Sequence, residues 1–114
     1  MAEALNPAGL TKARSLIASG DVVRGDDSWS ESAPTTEQQN EFIAEHGWEE
    51  YAQWHLGVDE TKSEQTKARF SFPYGDFTRV HRSAIIAIDS RAGQYDHADI
   101  EDAAKKLLAQ IDEG

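Results

Sequence analysis

The chain has 114 residues, 39 % of them apolar and 28 % charged, with 21 acidic against 11 basic side chains and no cysteine. That length fits one domain, 1–114, built around a single hydrophobic core. The missing thiols exclude disulfides, a thiolate zinc centre and a cysteine nucleophile, and a net charge of −10 opposes binding of phosphate backbones or anionic membranes by the molecule as a whole.

The opening residues, about 1–6, read as a poorly ordered terminus closed by Asn6-Pro7, a capping residue followed by a proline suited to the first helical position. Leu10, Ala13 and Ile17 then recur at helical spacing, predicting a helix over about 8–19 that ends at Gly20. Ser28 to Ser32 alternates around Trp29 as a short strand. Thr36 with Gln39 makes a capping box for a second helix over about 36–46. After Gly47, a third short helix carries Trp48, Tyr51, Ala52 and Leu56 on one side and ends at Gly57.

Residues 59–66 are the most polar stretch and read as an exposed loop. Arg69 to Tyr74 alternates as a strand, with Phe70 and Phe72 on one face and Pro73 forcing an edge or an end. Its expected partner is Ser28–Ser32. Tyr74-Gly75-Asp76 turns the chain into a fourth helix running from Arg79 or His81 to about Ala92, closed by Gly93. Asp96 then caps a fifth helix with the clearest apolar stripe of the chain, Ile100, Ala103, Ala104, Leu107, Leu108 and Ile111. The fold class predicted is α+β, mostly helical with about five helices and a small two-stranded antiparallel element. Ile85 and Ile88 should pack on the fifth helix, with Trp48, Trp54, Phe70 and Phe72 closing the other side of the core.

Charge is unevenly distributed. Residues 1–61 balance to −9, residues 62–91 to +3 and residues 92–114 to −4. A positive middle on a negative body is a candidate binding surface. Its residues are Lys67, Arg69, Tyr74, Arg79, His81 and Arg82, and the partner expected for them is another protein. A nucleic acid is the alternative, with the cations on phosphates and Phe70, Phe72, Tyr74 or Phe77 stacking bases, although the net charge opposes it. The structural reading of the same residues makes Phe70 and Phe72 core, and Arg82 and Arg91 helix charges paired with acids such as Asp89. A second alternative is a small-ligand or metal site where Trp48, Tyr51, Trp54 and His55 meet Phe70 and Phe72.

Motifs for catalysis are missing. The histidines include no His-Glu-x-x-His or His-x-x-x-His, so no metal is expected. Asp76, His81 and Ser71 or Ser83 have the residue types of a triad but lack a Gly-x-Ser-x-Gly elbow. No phosphate-cradling glycine loop occurs. The expectation is therefore a non-enzymatic monomer without cofactor or catalytic residues. No apolar run nears the roughly 18–20 residues of a bilayer span, and the start of the chain lacks a secretory pattern, so no membrane association and a cytoplasmic location are expected.

Four segments, Trp54-His-Leu-Gly-Val-Asp, Lys67-Ala-Arg-Phe-Ser-Phe-Pro-Tyr-Gly-Asp, Val80-His-Arg-Ser-Ala-Ile and Ser90-Arg-Ala-Gly-Gln-Tyr, resemble a group of short bacterial proteins of no assigned activity. Similar aromatic-Pro-aromatic-Gly and Arg-Ser-Ala segments, with an Ala-Ala-x-x-Leu-Leu helix after them, also appear appended to phage-type head-maturation protease chains. The resemblance covers about 48–112 and supplies no catalytic residues. It implies a bacterial, phage-related accessory module whose shared core is a strand-turn-helix-helix unit.

Overall fold

The computed structural model describes residues 3–25 and 29–113. The chain runs β1 (Glu3–Leu5), α1 (Pro7–Ala18), β2 (Val22–Val23), α2 (Trp29–Ser32), α3 (Thr36–Ala52) and β3 (His55–Asp59). After a single 3-10 turn (Lys67–Arg69) follow β4 (Phe70–Pro73), β5 (Val80–His81), α4 (Arg82–Gln94) and α5 (Ala98–Glu113). The class is α+β, as expected, but the elements differ in number and pairing. Among the described residues four helices are longer than one turn, because the second and third expected helices are one helix kinked at Gly47, where φ is +86°. Trp29–Ser32 is a helical turn and not a strand; Ser28 lies outside the described residues.

The sheet has three antiparallel strands in the order β1-β3-β4, where two were expected. Its centre is β3, whose Gly57 faces Leu5 on one side and Ser71 on the other. The third expected helix thus ends at Ala52, and the chain is already extended at His55. Residues His55 to Val58 are all buried, so this strand has no polar face to alternate with an apolar one. Glu3–Leu5, assigned to a poorly ordered terminus, is the other edge of the sheet, and Asp99 accepts the Leu5 N–H at 2.9 Å. The polar stretch after Asp59 is exposed through Gln65, as its composition predicts. A separate parallel pair, β2 with β5, ties the segment after α1 to the entry of α4.

Local chemistry explains several boundaries. Asn6 occupies the N-cap of α1, but its amide does not cap: it donates to the carbonyls of Ala52 and His55 at 2.9 and 3.1 Å, joining α1 to the α3–β3 corner. The capping box of α3 is Thr35 with Gln38, one residue earlier than expected, since Thr35 is the residue with extended backbone beside the first turn. Asp96 does not cap α5. It adopts φ +59° in the connection after α4, and α5 starts two residues later.

One apolar cluster gathers α1, the sheet, α4 and α5. Ile85 and Ile88 join Ile100, Leu107 and Ile111 in it, with Trp54, Leu56, Phe72 and Tyr74 from the sheet side. Trp48 and Phe70, expected in this core, are only half-buried and lie outside the cluster, packing on Tyr51 instead. Phe72 has φ +58°, which breaks the alternation of β4, so Phe70 and Phe72 do not share one environment. Among the described residues no helix is long and apolar enough to cross a membrane.

Candidate functional site

The six residues expected to form a basic-aromatic rim have different fates. Tyr74 is fully buried, its ring stacked with Trp54 at 5.6 Å and its hydroxyl donating to the Gln53 carbonyl at 2.6 Å. Burial pushes the phenol far above its ordinary range. His81 is buried against Trp29 and pairs through Nε2 with Asp76 Oδ2 at 2.7 Å. Arg82 forks onto Asp112 at 2.9 and 3.1 Å, joining the start of α4 to the end of α5. Arg69 donates to the Lys62 and Glu60 carbonyls and so fastens the polar loop, with its guanidinium 6.0 Å from the Phe70 ring centre. Lys67 is half-exposed and Arg79 exposed. An exposed rim containing Tyr74 and His81 is therefore not formed; the turn between them folds inward because its aromatics belong to the core.

Asp76 organises that turn. Its Oδ1 accepts the N–H groups of Thr78 and Arg79 at 2.9 and 2.8 Å while Oδ2 faces His81. Burial raises its pKa, but the bond to His81 and the two N–H donors outweigh that, leaving it below the ordinary carboxylate value. No triad assembles around the pair. The Ser71 hydroxyl donates to Glu3 at 2.6 Å, and the Ser83 hydroxyl is buried with no hydrogen-bond partner among the described residues.

The aromatic cluster does assemble. Tyr51 lies within 6 Å, centre to centre, of Trp48, His55 and Phe70, and a cleft of about 390 Å³ opens beside Trp48, Phe70 and Arg69. Two of the polar groups at this cleft are already engaged: the Arg69 guanidinium holds the loop, and the Asn6 amide holds two carbonyls. His55 is buried, with Nδ1 2.9 Å from the Tyr51 carbonyl, and desolvation pushes its pKa down to about 4 against the partial opposition of that bond. Among the described residues no group of three His, Cys, Asp or Glu side chains could hold a metal.

A larger groove, about 840 Å³, lies between α4 and β4. Ala84, Ala87, Ile88 and Arg91 follow one another along α4 at spacings of three and four, so one face of that helix forms a wall. Phe72, Pro73 and Trp29 supply further apolar lining. Glu3 reaches over the bare backbone of Gly57 to Ser71, where any Cβ would collide with Ser71 and Phe72. Arg91, Gln94 and His97 also line it, beside Tyr95, which is 54 % exposed. The structural reading of the sequence paired Arg82 and Arg91 with acids, Asp89 among them; Arg82 does pair, with Asp112, while Asp89 faces Lys105 at 4.0 Å. The helical spacing of 84, 87, 88 and 91 was the available signal for the wall. Comparison of the chain with family models, with curated proteins and with solved structures yields no match.

Proposed function

We propose that this is a small non-enzymatic accessory protein, phage-related and acting in the cytoplasm, that binds another protein through the groove between α4 and β4. The observation that supports it is the character of that groove: a largely apolar lining from Trp29, Phe72, Pro73, Ala84, Ala87 and Ile88, with a large exposed aromatic, Tyr95, and a few polar groups. Recognition sites have this composition, an apolar body with a few placed polar groups. The reading moves the binding surface away from Lys67, Arg69, Arg79 and Arg82, two of which are committed to intramolecular contacts. A nucleic-acid partner has less support, since Phe72 and Tyr74, which were to stack bases, are buried.

The test is site-specific photocrosslinking. A benzophenone amino acid at Ala87 or Tyr95 should give a discrete protein adduct in a bacterial lysate, whereas the same group at exposed Asp102 on α5 should not. Ala87→Arg, which fills the groove from an exposed helical position, should abolish the Tyr95 adduct. Equal adducts from Asp102, or none from the groove, would overturn the reading.

A further inference from the structure

His55 opens β3 with only 5 % of its surface exposed, its ring centre 4.6 Å from that of Tyr51 and 5.9 Å from that of Phe70. Its Nδ1 lies 2.9 Å from the Tyr51 carbonyl oxygen. A carbonyl can only accept, so Nδ1 carries the ring proton, and in a neutral imidazole Nε2 is then a bare lone pair. Desolvation keeps the ring neutral, its pKa pushed down to about 4. Among the described residues nothing donates to Nε2, yet that atom is not sealed in as the Ser83 hydroxyl is. A largely desolvated acceptor of this kind costs free energy until a donor reaches it.

The pocket that His55 lines is small, about 80 Å³, and lies where the α2–α3 connection and the start of α3 meet the turn after β4. Trp54, Pro73, Phe77 and Pro34 give it apolar walls, with the six-membered ring of Trp54 turned to Gly75 and the indole N–H on the opposite edge. Gln39 is committed elsewhere: its Oε1 accepts the Tyr51 hydroxyl at 3.0 Å, and its Nε2 donates to the Pro34 carbonyl at 3.2 Å. None of the lining residues is Asp, Glu, Lys or Arg, so an ion entering would lose its hydration with no counter-charge beside it. A cavity of about 150 Å³ takes benzene, so about 80 Å³ suits roughly three or four non-hydrogen atoms. We infer that this pocket binds a small neutral molecule carrying one hydroxyl group, whose O–H donates to His55 Nε2 while Trp54, Pro73 and Phe77 enclose its apolar end. The site is separate from the groove between α4 and β4, and the inference stands whether or not that groove binds a protein.

The experiment is an NMR titration of the full chain at neutral pH with three probes of nearly equal size. Isopropanol donates a hydrogen bond, acetone only accepts one, and isopropylammonium is charged. Isopropanol should shift the amide signals of Gln39, Gly75 and Phe77 and bind roughly tenfold or more tightly than acetone, because a site built on one hydrogen bond rejects the analogue that cannot make it. Isopropylammonium should leave those signals unmoved. Long-range proton–nitrogen spectra should show the His55 ring protonated at Nδ1 alone, with the Nε2 resonance moving upfield as isopropanol is added and holding still under acetone. His55→Phe, which removes the acceptor, should abolish the preference for isopropanol. Should that variant not fold, the ring-nitrogen shifts of the parent chain decide the matter without it. Equal shifts from isopropanol and acetone, or a proton found on Nε2, would overturn the inference. So would pocket signals that no probe moves, which would leave the pocket a water site only.

Discussion

At Gly9 the first helix lies directly on the backbone of β3, and a Cβ there would run into the His55 carbonyl. Glycine inside a helix normally costs about 1 kcal/mol relative to alanine. Here the neighbour is main chain and cannot swing aside, so Gly9→Ala should instead destabilise by about 1–3 kcal/mol, as overpacked sites do. Gly93 in α4 is the contrast, because its added Cβ would meet only the carboxylate end of Glu101, which can move. Gly93→Ala should raise stability by up to about 1 kcal/mol, and urea melts of the two variants should shift in opposite directions. His55 gives the same corner a pH signature. Its folded pKa, about 4, lies below the ordinary 6.5, so between those values the unfolded chain binds the extra proton. Stability should therefore be full above about pH 6.5 and decline toward pH 4, by a limiting ~3 kcal/mol at 1.36 kcal/mol per unit. His55→Asn, which keeps a donor toward the Tyr51 carbonyl, should flatten that slope. Asp76 acts in a separate window: its lowered pKa supplies stability present above the ordinary carboxylate value, lost only as pH falls further. An unchanged slope between pH 6.5 and 4 in His55→Asn would show that another group carries it.

Among the elements, α4 and α5 pack most extensively. Leu107 and Ile85 are fully buried between them, and Ile88 and Ile111 nearly so. Leu107→Ala should cost about 2–5 kcal/mol, whereas Arg79→Ala, exposed in the turn before β5, should change stability by no more than about half a kcal/mol. Denaturant midpoints of both variants check the assignment; a neutral Leu107→Ala would contradict the α4–α5 core. These two helices, and α1, were legible because their apolar residues recur at three and four; only α1 also carries its expected end signals, Pro7 and Gly20, since Gly93 lies inside α4 and Asp96 does not cap α5. The sheet was not, for reasons that lie in particular residues. His55 to Asp59 follows a helix without any proline or loop, contains one β-branched residue and is covered on both faces, so it has neither the propensity nor the period of a strand. Phe72, at φ +58°, then departs from the alternation that made β4 readable. The site was legible only in part. Arg91 was counted in the positive segment, but Trp29 and His97 reach the groove through folding that no local pattern encodes. Tyr74 and His81 were misplaced because an aromatic-basic run has the same composition whether its aromatics face outward or, as here, close the core.

Across the whole molecule the charge divides in a way that the packing repeats. No Lys or Arg occurs between Arg24 and Lys62, and α3 lies in that gap with Glu37, Glu41 and Glu45 exposed at spacings of four. Like charges at that spacing destabilise a helix, and α3 has little burial to offset them: of its 17 residues only Tyr51 is fully inside. Its hold on the body comes from Phe42 stacked on Phe77 at 4.3 Å and from the Tyr51 ring against His55 and Phe70. The self-repulsion of a −10 chain adds to this. Raising NaCl from 20 to 300 mM contracts the Debye length to below 10 Å, and it should raise the melting temperature rather than lower it. Glu41→Lys should stabilise at low salt by about half a kcal/mol, since it turns two repulsive contacts along α3 into attractive ones. Its own salt response should be smaller than that of the parent chain, because part of the repulsion that salt screens is gone. The alternative balance is that surface pairs such as Arg82–Asp112 and Lys106–Asp102 dominate the long-range field. Salt would then lower the melting temperature of both proteins, and Glu41→Lys would gain nothing over the parent. Thermal melts of the two chains across that salt range distinguish the cases by the sign of the slope alone.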